Sequence, residues 1–358
     1  MKYGIDSGPH IKTDDNIDLV YKRLLIILIP IILFSLYKNV FLVYVKGTYS
    51  FVEVIYPILI ILVSILVSVS VEKIYTSIEN YRNGYQKTNC FYPIITGLYI
   101  AMILPIRTPL YVVALASFIA IFLGKMLYGG FGKNLFNPTA IGYLFILVLF
   151  TNTLSNYNNY FNLVESTKYL THPLNNLNTF DYEKLVAPYG TLHNFLFGMV
   201  PGTMGTTNAF LIILSFILLS LFKVTKWKVS LTYILTVFMM TFIIGLNHGV
   251  GIWFPIFNIL SGSLLFIAIF MNDPVTTSTT NIGQILNGIL LGIITVLIRF
   301  LSLHPERIFM AIIITNLFVP QLDKFEIIVK RKKYFKYIFL ILSLLIVISI
   351  SFLISNFV

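Results

Sequence analysis

The chain has 358 residues, 57% of them hydrophobic and only 11% charged, with a formal net charge of +11. A mean hydropathy of +0.87 excludes a soluble globular domain, and bases clustered beside apolar runs exclude nucleic acid as the partner of that charge. One cysteine, Cys90, rules out an intramolecular disulfide and a four-thiolate iron–sulfur cluster, and His10, His172, His193, His248 and His304 lack metal-ligand spacing.

In chain order, residues 1–23 are polar and contain no apolar stretch of the signal-peptide kind, so they are expected to stay as a cytoplasmic N-terminal segment. Residues 24–150 form a first membrane half, with apolar segments centred near 30, 60, 98, 118 and 145. Residues 151–208 interrupt the pattern with a polar loop. A second membrane half follows over residues 209–325, centred near 216, 237, 261, 293 and 313. The basic run KRKKYFK then leads residues 326–358 into a last apolar helix near 345. Crossing a core of about 30 Å takes roughly 20 apolar residues, and the runs are continuous with no period-two alternation, which argues against a barrel. The expected fold is therefore all-α: a polytopic bundle of about 10 to 11 transmembrane helices in the cell membrane.

Charge sets the orientation. With the N-terminus cytoplasmic, 18 of the 25 Lys and Arg fall inside and 7 outside, as the positive-inside rule requires. The loop over 151–208 then faces the extracytoplasmic side.

Four short stretches are wrong for plain lipid-facing helices: TGLYIAMILPIRTP (96–109), YGGFGKNLFNPTA (128–140), VPGTMGTTNAF (200–210) and FMNDPVTTSTTNIGQ (270–284). Each alone reads as an ordinary turn. Together they fit a protein built on discontinuous helices, since irregular backbone survives at membrane depth only inside protein or beside a polar cavity. Asp273 has two readings, an N-cap with Pro274 as first helical residue or an oxygen ligand on a cation path. The echo of NLFNP (134–138) in NLFVP (316–320), and of TGLYIAMILP in SGSLLFIAIF, suggests two inverted five-helix repeats.

These motifs, with SGPHI near the start, FLFGMVPGTMGTTNA, GQILNG and PERIFMAIIITNLFVPQLD, occur in one order over about residues 5–325. In that order they resemble the RnfD family, the D subunits of Rnf-type electron transport complexes, which are related to the NqrB component of sodium-pumping NADH:quinone oxidoreductase. The resemblance implies an all-helical membrane protein of two repeated halves carrying FMN, joined to a threonine through its phosphate. It also implies electron exchange with a neighbouring extracytoplasmic flavoprotein, coupling to Na⁺ or H⁺ movement, and assembly with other membrane subunits of the complex in membrane lipid.

The family's attachment motif resembles Ser-Gly-Ala-Thr-Pro-Leu, and its counterpart here is YLTHPL (169–174). His172 intervenes between Thr171 and Pro173: letter by letter His172 takes the threonine's place, whereas a one-residue insertion restores Thr171. Thr171 is the candidate for covalent FMN, with Thr167 and Thr191 behind it. Thr206, Thr207 and Asn137 are further candidates for flavin contact, including a second, noncovalent flavin, and Asp273 for the cation path. Thr206 stands where the family usually has a glutamate. GGFGKNLFNP lacks the strand context and glycine spacing of a dinucleotide fingerprint, so NADH is expected to bind elsewhere and the chain alone not to turn over. The alternative is a flavin-free, transporter-like or structural membrane subunit.

Overall fold

The structure, a computed structural model, describes residues 17–47, 50–83, 91–130, 132–154, 191–200, 202–249, 251–260, 263–270, 272–301, 308–330 and 333–357. Among them the regular elements are all helical. Helix α1 (Ile17–Leu36) passes through a π-helical turn (Tyr37–Phe41) into α2 (Leu42–Lys46). The first half continues with α3 (Phe51–Asn83), α4 (Phe91–Ile103), α5 (Leu110–Phe122), α6 (Pro138–Leu149) and the single turn α7 (Thr151–Leu154). The described residues resume with α8 (Leu192–Phe197), α9 (Ala209–Leu221), α10 (Trp227–Asn247), α11 (Trp253–Leu260) and α12 (Ser263–Phe270). Helices α13 (Asn281–Leu301), α14 (Met310–Lys330) and α15 (Lys333–Phe357) complete the bundle.

Ten of the eleven expected apolar segments are therefore centred in helices, the one near 261 falls between α11 and α12, and not all are full crossings. Among the described residues five helices are long and apolar enough to span a membrane, and α11 with α12, bent by 60°, makes a sixth if the pair is one span. Helices α4, α6 and α9 have 13, 12 and 13 residues, roughly 18–20 Å at 1.5 Å per residue, too short for a core of about 30 Å. The chain is a multi-pass membrane protein in which half-helices alternate with full ones. The four anomalous stretches of sequence are the places where the half-helices stop.

Asparagines start two of the short helices. Asn137 Oδ1 accepts from the backbone of Thr139 (3.0 Å) and Ala140 (3.3 Å), with Pro138 as first residue of α6. Asn208 Oδ1 accepts from Leu211 N at 2.8 Å while its amide donates to Phe197 O at 3.1 Å, tying α9 to the end of α8.

The start of α13 differs from expectation. Asp273 is not its N-cap: the helix begins at Asn281, and Asp273 closes only a turn, its carboxylate accepting from Val275 N at 3.2 Å. The intervening PVTTSTT run is rich in β-branched and hydroxyl residues, which compete for backbone partners and delay the helix. Its cap comes from α14 instead. Asp323 accepts from the backbone of Thr279 and Thr280, each at 3.1 Å, and from the hydroxyls of Ser278, Thr279 and Thr280. Glu326 accepts from Ile282 N at 2.9 Å. Two carboxylates on a neighbouring helix thus complement the positive end of α13.

Small residues bring the helices together, as lipid gives no hydrophobic incentive for apolar faces to associate. Ser64 of α3 donates to Gly97 O of α4 at 2.6 Å and lies 2.9 Å from Ser117 Oγ of α5. Gly288 and Gly292 of α13, spaced four apart, sit against Thr232 and Thr236 of α10. A Cβ on Gly288 would meet Thr232 Oγ1 and lie 2.5 Å from Val229 O. Gly288→Val is expected to destabilise the full chain by about 1–3 kcal/mol, as overpacked cores do, read as a lowered unfolding temperature in detergent. An unchanged temperature would mean that α10 and α13 are not so closely packed.

Candidate functional site

The helix breaks meet in pairs. At the first junction, the stretch after α4 (104–109) runs beside the stretch before α9 (199–208), joined by backbone bonds from Gly205 N to Met102 O (2.9 Å) and Met204 N to Leu104 O (3.4 Å). Gly205 is needed here because any Cβ would run into the Met102 side chain. The end of α1 supplies the remaining partners: Ser35 Oγ donates to Met204 O at 2.6 Å, and Asn39 Nδ2 to the same carbonyl at 3.4 Å. Lys38 Nζ donates to Val200 O at 2.5 Å and to Thr207 Oγ1 at 3.0 Å. The π-helical turn carries Lys38 and Asn39, an irregularity often found at functional sites. Lys38 is buried, and among the described residues no carboxylate lies within ion-pairing distance of it.

The second junction joins the stretch before α6 (129–137) to the one before α13 (272–280). Asn134 Nδ2 donates to Asp273 Oδ2 at 3.3 Å. With the Asn316 amide oriented to satisfy its neighbours, its oxygen accepts from Asn137 N at 3.0 Å, which brings the asparagines of the two echoing motifs into contact. Lys226 Nζ donates to Pro274 O and Thr277 O, both at 2.7 Å. Lys125 Nζ lies 2.6 Å from Glu72 Oε1 and 4.2 Å from the centre of the Tyr92 ring. Both partners are nearly inaccessible, at 0% and 4%. A cavity of about 30 Å³ bordered by Tyr21, Tyr92, Tyr99, Asn137, Asn272 and Asp273 opens here, with room for one or two waters. Among the described residues Tyr99 Oη, Asn134 Oδ1, Asn272 Oδ1, Thr225 Oγ1 and Glu72 Oε2 have no protein partner, the kind of atom that buried water satisfies.

Tyr21 and Lys38 lie seventeen residues apart along one helical run, about 25 Å, so the junctions sit at opposite ends of the bundle. Asn137 and Asp273 therefore share one site, and Thr206 and Thr207 belong to the other. Thr206 is hydroxyl-bonded to Thr203 at 2.5 Å and Thr207 holds Lys38. These hydroxyls are occupied within the protein, and the second cavity is far smaller than the about 300 Å³ at which small-molecule sites begin. Thr191 is exposed at the start of α8 and makes no capping bond. Thr171, Thr167 and His172 lie outside the described residues.

Sequence reasoning counted Lys38 and Lys125 as flanking bases, yet both are buried at junctions. The usable signal was their setting: Lys125 is the one base in IAIFLGKMLYGG, and Glu72 sits in a long apolar run, where ionisable residues mark interior sites. Among the described residues no three His, Cys, Asp or Glu converge as a metal cluster.

Discontinuous helices that meet end to end around buried charge define a class of membrane protein whose polar interior is made of backbone and asparagine rather than of long charged clusters. The chain belongs to the NQR2, RnfD, RnfE family, whose profile matches residues 4–333. It is similar to the D subunit of the proton-translocating ferredoxin:NAD(+) oxidoreductase complex of Clostridium ljungdahlii, 29% identical over 328 residues that cover 90% of this chain and 94% of that protein. It is also similar to the B subunit of the Na(+)-translocating NADH-quinone reductase of Chromohalobacter salexigens, 29% identical over 71% of this chain and 62% of that one. The D subunit of the ion-translocating oxidoreductase complex of Shewanella frigidimarina is 25% identical over 90% and 96%.

The buried ion pair gives a direct test. Lys125→Met leaves the Glu72 carboxylate without its counter-charge and is expected to destabilise the chain by about 3–5 kcal/mol, whereas Lys125→Met with Glu72→Leu recovers most of that loss. Thermal unfolding of the four combinations measures it, and equal losses in single and double variants would show that the pair is uncoupled.

Proposed function

We propose that this chain is the membrane subunit of an Rnf-type electron transport complex, carrying electrons through bound flavin and coupling redox to Na⁺ or H⁺ translocation. Family membership over nearly the whole chain supports it, as do the names of the relatives, which are ion-translocating oxidoreductase subunits. The observation that carries the reading is the pair of broken-helix junctions at opposite ends of the bundle, each holding a buried charged residue. Residues of this kind at membrane depth are functional by default.

Thr171 is proposed as the covalent FMN site. Both anchors of the loop that contains it are found at the end of the bundle with the first junction. Phe150, just before α7, packs its ring 5.9 Å from Tyr111 at the start of α5, and α8 leads directly into residues 199–208. Bound there, FMN would supply a centre able to take one or two electrons. The chain's own part is to anchor the far end of that segment: Asn208 ties α8 to α9, and Ser35, Lys38 and Asn39 clamp the residues that follow α8. The cytoplasmic placement of the N-terminus, the two inverted repeats and the flavoprotein and membrane partners belong to this same proposal. Two features favour the alternative, a flavin-free subunit: His172 stands between Thr171 and Pro173, and Thr206 stands where the family resemblance implies an acid.

The test is peptide mapping and intact mass of the subunit purified from the assembled complex, beside Thr171→Val. A mass increment of FMN on the Thr171 peptide, lost in the variant together with electron transfer, is the expected result. An unmodified Thr171 in an active complex would overturn the assignment.

A further inference from the structure

Helix α15 starts at Lys333, where the family match ends, so the surface it makes with the bundle is a feature of this chain outside that match. It runs in the same direction as α10: Asn247 at the end of α10 donates to Ser355 Oγ near the end of α15 at 2.7 Å. Between α10, α13 and α15 lies a crevice of about 340 Å³, within the about 300–1,000 Å³ range of small-molecule sites. Leu235, Met239, Ile289 and Val347 make it apolar, and Thr232 and Ser343 add the few hydroxyls in its wall.

The chemistry changes at the mouth. Lys228, Thr232, Leu235, Thr236 and Met239 recur at helical spacing and form one stripe of α10, so the Lys228 ammonium stands one turn above the crevice. Its Nζ reaches Asn281 Oδ1, at the start of α13, at 2.5 Å, which places it on the side of α10 that the crevice occupies. The neighbouring Trp227 is 48% exposed, as befits an aromatic residue at a bilayer interface. The same corner gathers further bases: Lys223, exposed before α10, and Lys324, exposed on α14. The acids of α14 in this corner, Asp323 and Glu326, are engaged by hydrogen bonds from Thr279, Thr280 and Ile282, on either side of Asn281.

An apolar slot beneath a basic rim at the membrane surface is complementary to one kind of molecule. We propose that the crevice seats one anionic phospholipid, an acyl chain lying between α10, α13 and α15 and the phosphate on Lys228. This site is independent of the redox reading.

The test is native mass spectrometry of the purified full chain, reconstituted with phosphatidylglycerol or with phosphatidylcholine of identical acyl chains. Wild type is expected to retain one phosphatidylglycerol per chain at least about fivefold better than phosphatidylcholine, the factor for one base acting near an anionic surface. Lys228→Gln, a mild change at the rim, brings phosphatidylglycerol down to the phosphatidylcholine level. Ser343→Phe, which fills the slot, lowers both. Equal retention of the two lipids by wild type, or an undiminished preference in Lys228→Gln of unchanged unfolding temperature, overturns the proposal.

Discussion

Everything in this bundle depends on finding partners for backbone N–H and C=O groups where there is no water to supply them. A continuous helix meets that demand along its length; an interrupted one leaves about four acceptors where it stops and about four donors where it restarts. The protein tolerates several interruptions because side chains from other helices replace the missing bonds. Ser35, Lys38 and Asn39 take the carbonyls of the first junction, Asn137 and Asn208 hold the donors that begin α6 and α9, and α14 reaches across with Asp323 and Glu326 to α13. The half-helices and their supporting side chains form one system.

Charge is distributed by the same logic. Lys125 and Glu72 neutralise each other beneath Tyr92, while Lys226 binds carbonyls next to Asp273. Lys38 holds a carbonyl and a hydroxyl at the other end. The two junctions are therefore electrically unlike: one combines acids and bases around a small polar cavity, the other presents a base to hydroxyls.

The fold was largely legible in the sequence because continuous apolar runs and glycine, proline and asparagine breaks are local signals. All four stretches singled out from composition contain non-helical backbone, and ten of the eleven apolar segments are centred in helices, the exception being the one that breaks between α11 and α12. The site was legible in part. Asn137 and Asp273 were named for different reasons and meet in one cavity, but the partners that give them meaning, Tyr21, Tyr99, Thr225 and Lys226, come from distant segments whose approach no local pattern encodes. Of the two readings of Asp273, the N-cap fails for the same reason. Asp-Pro is a helix start in most contexts, and here the competing donors and a carboxylate fifty residues downstream decide otherwise.

The position of α15 also bears on how the protein is made. Its contacts are with α10, α13 and α14, all synthesised earlier, and it contributes to neither junction. Helices that leave the ribosome in order can close both polar junctions before α15 exists, so α15 joins a bundle whose interior is already settled. Until then the face of α10 that carries Leu235 and Met239 is open to lipid. Docking of the last helix is thus a late, separable step of assembly, and a chain interrupted after α14 would still hold every residue of the two junctions.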